Sequence, residues 1–160
     1  GCLPHCPFKL THDAHISLAN LQCGQDRTAE QNARLGCGRL FARDPSLILR
    51  SPFIRPEDAQ AYFDVVDFIK LSGRTRGPQV MGRIIDLHLQ QSYGGNLLEL
   101  MDTLEFLAGR FNLPNQDLPE DFLHTVTTCS KDCRQCGFCQ ELSRKLIQDR
   151  GIAGLRHMWV

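Results

Sequence analysis

The feature that most constrains this chain is a run of four cysteines between positions 129 and 139, with the spacing C-x3-C-x2-C-x2-C. Four thiolates this close in sequence converge on one site if the backbone curls around it, and iron–sulfur clusters are held by four cysteine thiolates. Gly137 permits the tight turn that such a loop needs. Lys131 and Arg134 would offset the negative charge of the sulfurs. The predicted ligands are Cys129, Cys133, Cys136 and Cys139.

The same run admits two other metal interpretations. Structural zinc sites more often use two C-x2-C pairs separated by a longer insert, so the compact run favours iron–sulfur and leaves zinc as the second interpretation. The first three cysteines also match the pattern of radical S-adenosylmethionine enzymes. Gln135 stands where that pattern has an aromatic residue, and Cys139 would close the position that the cofactor needs.

The remaining cysteines, Cys2, Cys6, Cys23 and Cys37, are more widely spaced. A lone cysteine is often a small buried hydrophobe, but four in one irregular segment favour a second metal site. Disulfides are the alternative, and they are typical of small, loop-rich chains in oxidising compartments. Long amphipathic stretches supply a core here, so the prediction is reduced cysteines in a cytoplasmic protein.

Composition narrows the function classes. The 160 residues are enough for a hydrophobic core, and 18 basic residues balance 18 acidic ones. A zero net charge argues against a general nucleic-acid-binding surface, although a local basic pocket remains compatible with it. No apolar run reaches the roughly 18 residues of a membrane span, so no membrane contact is expected.

The middle of the chain has the pattern of an α/β protein. Apolar and β-branched residues predict strands at 46–51 and 65–72. Pro56 and Pro78 predict the first turns of two helices, the second ending at Tyr93-Gly-Gly. The resulting β-α-β-α unit is typical of parallel sheets.

The end of the chain is predicted to be a small helical module around the four-cysteine run. Pro114 and Pro119 mark a linker over 112–119, a short helix follows over 119–126, and a last helix runs from Cys139 to Arg150. The predicted boundary therefore separates residues 1–111 from a module at 112–160.

Three segments resemble the later part of the peptidase U-32 family: Gly1-Cys-Leu-Pro-His-Cys-Pro-Phe, Ser51-Pro-Phe-Ile-Arg-Pro-Glu-Asp and Val66-Asp-Phe-Ile-Lys-Leu-Ser-Gly-Arg74. The resemblance covers about residues 1–100 and implies part of a TIM-barrel-like domain. It also implies a 4Fe-4S cluster, for which Cys2, Cys6, Cys23 and Cys37 would be the family ligands. The run at 129–139 would then be an added cluster, which makes two clusters per chain.

A full barrel takes about 250 residues. The chain would therefore supply only the last strands and helices, and its opening at Gly1-Cys2 suggests a fragment. A partner subunit or a missing N-terminal half would complete the barrel.

Two groups of polar residues are candidates for chemistry. His12, Asp13 and His15 lie between two of the N-terminal cysteines, where they could transfer protons near a cluster or simply form a solvated loop. Lys70, Arg74 and Arg76 lie after a predicted strand and before a helix N-terminus. They are suited to a carboxylate or phosphate of a small-molecule or RNA substrate, or to an ordinary salt-bridged loop.

The leading functional hypothesis is an iron–sulfur redox protein, resembling the oxygen-independent hydroxylases and the RNA- or cofactor-modification enzymes of the U-32 type. A collagenase-like peptidase is the alternative that the family label implies. The chain has neither the His-Glu-x-x-His zinc motif nor the Gly-x-Ser-x-Gly motif. A non-catalytic electron-transfer or zinc-binding module is the third hypothesis.

Overall fold

The computed structural model describes residues 3, 6–21, 37–73 and 76–151, without the side chains of residues 15, 16 and 19–21. The α-helices of this part are α1 (Lys9–Leu21), α2 (Cys37–Arg43), α3 (Ser46–Arg50), α4 (Ala59–Phe63), α5 (Pro78–Gln90), α6 (Phe122–Thr128), α7 (Cys133–Cys136) and α8 (Phe138–Leu146). Short 3₁₀ helices span Pro56–Asp58, Leu97–Leu100, Glu105–Leu107 and Asn115–Asp117, and two short strands are β1 (Phe111–Asn112) and β2 (Gln148–Asp149).

The first predicted strand, at 46–51, is wrong, because these residues form helix α3. Asp44 decides the local structure: its Oδ1 accepts hydrogen bonds from both the backbone N–H and the hydroxyl of Ser46, at 3.1 and 2.5 Å. Such a side-chain acceptor satisfies donors that a helix start leaves free. The apolar residues of the segment still reach the core, since Ile48 and Leu49 are buried.

The second predicted strand, at 65–72, is also wrong for this structure, which has irregular backbone there. Val65 is 77% exposed and Phe68 is 90% exposed. A strand is stable only when its backbone groups are paired, and no neighbouring strand pairs with 65–72 within the described residues. The assignment of this region to a barrel-like α/β domain stays a prediction.

Helix α5 is confirmed as predicted from Pro78. Gly77, with φ of 87°, precedes the helix, and Gln91 closes it in the left-handed conformation with φ of 52°. Proline suits the first helical position because the N–H it lacks has no intrahelical partner there. Ile84 turns into the protein and is buried.

The predicted helix at Pro56 begins as a 3₁₀ turn, which continues into α4 and ends at Phe63. Arg55 and Asp58 form a buried, bidentate ion pair at this turn, with Nε and Nη2 donating over 2.7 and 2.8 Å. The Arg55 guanidinium also lies 5.6 Å from the centre of the Phe122 ring. These contacts attach the turn to the C-terminal half of the chain.

One hydrophobic cluster joins residues from both sides of the predicted linker. Phe41 and Ile48 belong to it together with Phe122 and Leu142, and helix α3 packs against helix α8. The linker is itself partly buried, since Leu113 is fully inaccessible and Asn115 nearly so. The division at 111/112 stays a prediction, but the described parts of the two predicted units share this core.

The last helix is shorter than predicted and does not reach Arg150. Helix α8 ends at Leu146, and residues 148–149 pair with β1 in antiparallel register, Phe111 opposite Asp149. Arg110 reinforces the ladder by donating Nε and Nη2 to the Asp149 carboxylate over 3.0 and 2.8 Å. This distant pairing accounts for the early helix end.

No helix in the described ranges has both the length and the apolar character needed to cross a lipid bilayer.

Candidate metal centre

The four cysteines of the C-terminal run lie on three consecutive helices. Cys129 follows the end of α6, Cys133 and Cys136 begin and end α7, and Cys139 is in the first turn of α8. Gly137, with φ of 65°, makes the left-handed turn between α7 and α8. The curled backbone brings all four side chains to the wall of one cleft, whose free space is about 30 Å³.

Lys131 shapes the entry to the cleft. Its backbone is left-handed, with φ of 63°, which is uncommon for a residue with a side chain. Its backbone N–H and its ammonium group both lower the pKa of Cys129, with the backbone hydrogen bond as the larger cause. The Lys131 ammonium also donates to the Val126 carbonyl. The surroundings of Cys129 therefore favour ionisation of its thiol.

The surroundings of Cys139 change its pKa in the opposite direction. Burial raises its pKa, and the negative charges of Cys129, Cys133 and Cys136 raise it further, whereas Arg50 lowers it. The three other sulfurs act on Cys139 because they lie near it. A bound cation would remove this mutual repulsion, since metal ligation favours the deprotonated thiol.

Arg50 is a cleft residue that the sequence analysis missed. It lies at the end of α3, far from the cysteines in sequence, and reaches them because α3 packs on α8. Its Nε is buried without a hydrogen-bond partner, while its Nη1 is 4.0 Å from Asp44. A buried donor of this kind is costly when it is unpaired, and the neighbouring sulfurs are its natural acceptors.

The donor set fits a metal–thiolate centre, although the sulfurs are not closed around a point. Cys6 and the four cleft cysteines are free thiols, and the described residues contain no ready-made group of three or more metal-binding side chains. The free space is about that of one water molecule in the liquid. Ligation of one ion or of a cluster would therefore require the exposed side chains of Cys133 and Cys136 to reorient.

The predicted N-terminal site is only partly described. Cys6 precedes α1 and Cys37 begins α2, and both side chains are half-buried. Cys2 and Cys23 lie outside the described residues, so the four-cysteine grouping stays a prediction.

The predicted catalytic group lies on α1. His12 has its Nε2 buried without a hydrogen-bond partner. The Asp13 carboxylate accepts from Lys9 Nζ over 2.6 Å, in an exposed pair one helical turn apart. The side chain of His15 lies outside the described residues, and the proton-transfer role of the three stays a prediction.

The predicted anion-binding group is divided. Lys70 is exposed on irregular backbone, Arg74 lies outside the described residues, and Arg76 forms an ion pair with Glu105 at 3.5 Å. Arg76 lines a cavity to which Lys70 does not contribute, and the grouping of the three residues stays a prediction.

Comparison with known proteins gives one informative match. The chain is 34% identical, over 92% of its length, to an uncharacterized protease of Methanocaldococcus jannaschii. It spans only 44% of that relative's length. No family model matches the chain, and no solved structure matches it. The chain is thus related to an archaeal protein named as a protease, in keeping with its resemblance to the peptidase U-32 family.

Proposed function

We propose that the protein is an iron–sulfur redox protein whose C-terminal cluster is held by Cys129, Cys133, Cys136 and Cys139. The observation that carries the proposal is one cleft lined by four free thiols and a buried, unpartnered guanidinium nitrogen. Four thiolates are the usual protein ligands of such clusters. The cluster supplies one-electron transfer when bound.

The protein's own residues have separate tasks in this proposal. Lys131 stabilises the ionised form of Cys129, and Arg50 provides the positive charge beside the half-buried Cys139. Hydrogen bonds and positive charge near the sulfurs favour the more negative, reduced state and so raise the reduction potential. The finer assignment, an oxygen-independent hydroxylase-like or RNA- or cofactor-modification enzyme, rests on the U-32 resemblance.

The test is to purify or reconstitute the full chain without oxygen and to count iron, acid-labile sulfide and zinc. Iron and sulfide in equal amounts, with visible absorbance that dithionite bleaches, are expected. The double variant Cys133→Ala, Cys136→Ala should lose one cluster, and Ser130→Ala, an exposed non-ligand in the same run, should keep the wild-type content. If the N-terminal cysteines hold a second cluster, the double variant retains about half of the iron.

Two results would contradict the proposal. Stoichiometric zinc with no sulfide would make the cleft a structural zinc site, which its small free volume accommodates. A colourless protein that takes up no metal after anaerobic reconstitution would remove the centre altogether.

Peptide hydrolysis is the second candidate, because the related archaeal protein is named as a protease. In this case cleavage of a peptide library by the full chain persists after iron and zinc are removed by chelation. Cleavage that stops on chelation and returns with metal, or that is absent throughout, argues against a metal-independent peptidase.

A further inference from the structure

A second cavity lies between helix α5 and the loops that follow it. Its volume is about 440 Å³, and it is open to solvent. Val80 and Ile84 of α5 form one apolar wall, and Leu100 and Ala108 form part of the other. The charged and hydroxyl groups that line it are those of Arg76, Arg83, Tyr93, Glu99 and Glu105.

Arg76 is the most informative residue of this cavity. A turn fixes its backbone, whose N–H donates to the Gly73 carbonyl over 2.8 Å. The side chain is only 15% exposed, and Nη2 faces Glu105 at 3.5 Å. Nη1 is buried without a hydrogen-bond partner. Since Nη1 has almost no accessible surface, a ligand in the cavity reaches it only when the Arg76 side chain turns toward the cavity, and an acceptor there would satisfy this nitrogen.

Tyr93 also lines the cavity. Its hydroxyl donates to Glu99 over 2.8 Å, which occupies one carboxylate oxygen of that residue. The Tyr93 ring lies directly over Gly95, where an added Cβ would stand 2.3 Å from the hydroxyl oxygen. Arg83 is exposed, and its charge reaches Tyr93, whose pKa it lowers against the stronger effect of burial.

The charges of the cavity limit the kind of anion that it accepts. Two arginines and two glutamates give the lining a formal charge of zero, so a dianion such as phosphate meets repulsion from Glu99 and Glu105. A monocarboxylate carries one negative charge in a planar group that matches the guanidinium fork. The apolar walls suit a ligand with a hydrocarbon body.

We propose that this cavity binds a small organic monocarboxylate, with its carboxylate on Arg76 and Arg83 and its apolar body against Val80, Ile84 and Leu100. The proposal is independent of the metal centre, because Arg50 and the four cysteines lie in the other cleft. In this proposal Arg76 binds the ligand in addition to forming its ion pair with Glu105.

The experiment uses benzoate as the probe, with benzamide and inorganic phosphate as comparisons, and measures binding to the full chain by calorimetry. Saturable binding of benzoate is expected, with benzamide and phosphate each bound more weakly. Absence of benzoate binding at millimolar concentration, or equal binding of benzamide, overturns the carboxylate site. Tighter binding of phosphate overturns the assigned ligand class.

Variants separate binding from a merely structural role of Arg76. We expect R76Q to weaken benzoate binding about tenfold or more, the effect of losing a charge-assisted hydrogen bond. E105Q breaks the same ion pair but keeps the guanidinium, so it should bind benzoate at least as tightly as wild type. If E105Q weakens binding as much as R76Q does, Arg76 acts only through its ion pair and the proposal fails.

Two further variants keep the test valid if R76Q does not fold. R83Q changes an exposed side chain and should weaken benzoate binding several-fold, whereas R144Q changes an exposed arginine on α8 and should have no effect. Equal behaviour of R83Q and R144Q contradicts the proposed contact with Arg83.

Discussion

Two clefts of this protein share a buried arginine nitrogen and differ in the source of the negative charge that would balance it. Each contains an arginine with a buried nitrogen that lacks a hydrogen-bond partner, Arg50 in the thiol cleft and Arg76 in the carboxylate cavity. Around Arg50 the neighbouring sulfurs become anions when they ionise, so the chain supplies the countercharge itself. Around Arg76 the neighbouring acid Glu105 pairs with Nη2, and Nη1 is left for the proposed ligand. In the two proposals, similar guanidinium groups would therefore serve sites whose negative charge comes from different sources.

Arg55 extends this comparison to a third case, because its buried guanidinium is already paired with a carboxylate of the chain, Asp58. Both side chains of the Arg55–Asp58 pair are at least nine-tenths buried. We expect Asp58→Ala to destabilise the fold by about 3–5 kcal/mol, since it leaves the guanidinium buried and uncompensated. Urea unfolding followed by circular dichroism measures this.

The exposed Lys9–Asp13 pair is the matched control. Asp13→Ala should change the free energy of unfolding by less than about 0.5 kcal/mol, because solvent screens such a pair. Equal losses in Asp58→Ala and Asp13→Ala would contradict the distinction between buried and exposed pairs.

The carboxylate cavity predicts a stability change at high pH. Burial, followed by the hydrogen bond to Glu99, raises the pKa of Tyr93 to about 12. Neutral Tyr93 therefore contributes stability that is complete below its unfolded pKa of about 10 and is lost as the pH rises through 12. Unfolding curves over this range, with tyrosinate absorbance, measure the effect.

Tyr93→Phe should remove the highest-pH tyrosine transition and flatten the stability curve above pH 10. Tyr62→Phe should leave that transition in place. If the transition survives in Tyr93→Phe, the hydroxyl of Tyr93 is not the group that titrates there.

The thiol cleft predicts an intermediate effect at its turn. Gly137→Ala places a side chain on left-handed backbone, where we expect a cost of about 1–2 kcal/mol. Gly82→Ala in the interior of α5, where an added Cβ meets nothing within 4 Å, should instead stabilise by about 0.5–1 kcal/mol. Thermal unfolding compares the two variants, and a gain in Gly137→Ala would argue against the strained turn.

The smallest expected effect concerns Arg50. Because Arg50 lowers the pKa of Cys139, Arg50→Gln should reduce the thiolate fraction and slow alkylation of that residue in the metal-free protein. Arg134→Gln, an exposed arginine within the cysteine run, should leave the rate unchanged. Peptide mass spectrometry after timed iodoacetamide treatment measures both, and equal rates in wild type and Arg50→Gln would remove Arg50 from the site.

The parts of the fold that the sequence predicted correctly depend on local signals. Pro78 begins α5, because the missing N–H and the fixed φ of proline act within the first turn of the helix. The four cysteines line one cleft for a similarly local reason, while their convergence on one metal stays a prediction. The segment Asp44-Pro-Ser is also a local signal for the start of the helix at 46–50. The short apolar run that follows it is equally compatible with a strand, and composition alone favours the strand.

The missed features are those that depend on distant segments. Arg50 enters the thiol cleft only because α3 packs on α8, and the pairing of 111–112 with 148–149 shortens the last helix. No spacing in the sequence connects these positions. Residues 65–72 also depend on a distant segment. Their composition is typical of a strand, but no strand forms because the described residues provide no neighbouring strand to pair with.

The close approach of Gly95 to Tyr93 has a consequence for what this position tolerates. The aromatic ring occupies the volume in which any other amino acid would put its first side-chain carbon. Even a single methyl group there would swing the phenol away from Glu99 and release one side of the carboxylate cavity. The shape of the cavity therefore depends on the absence of a side chain at Gly95.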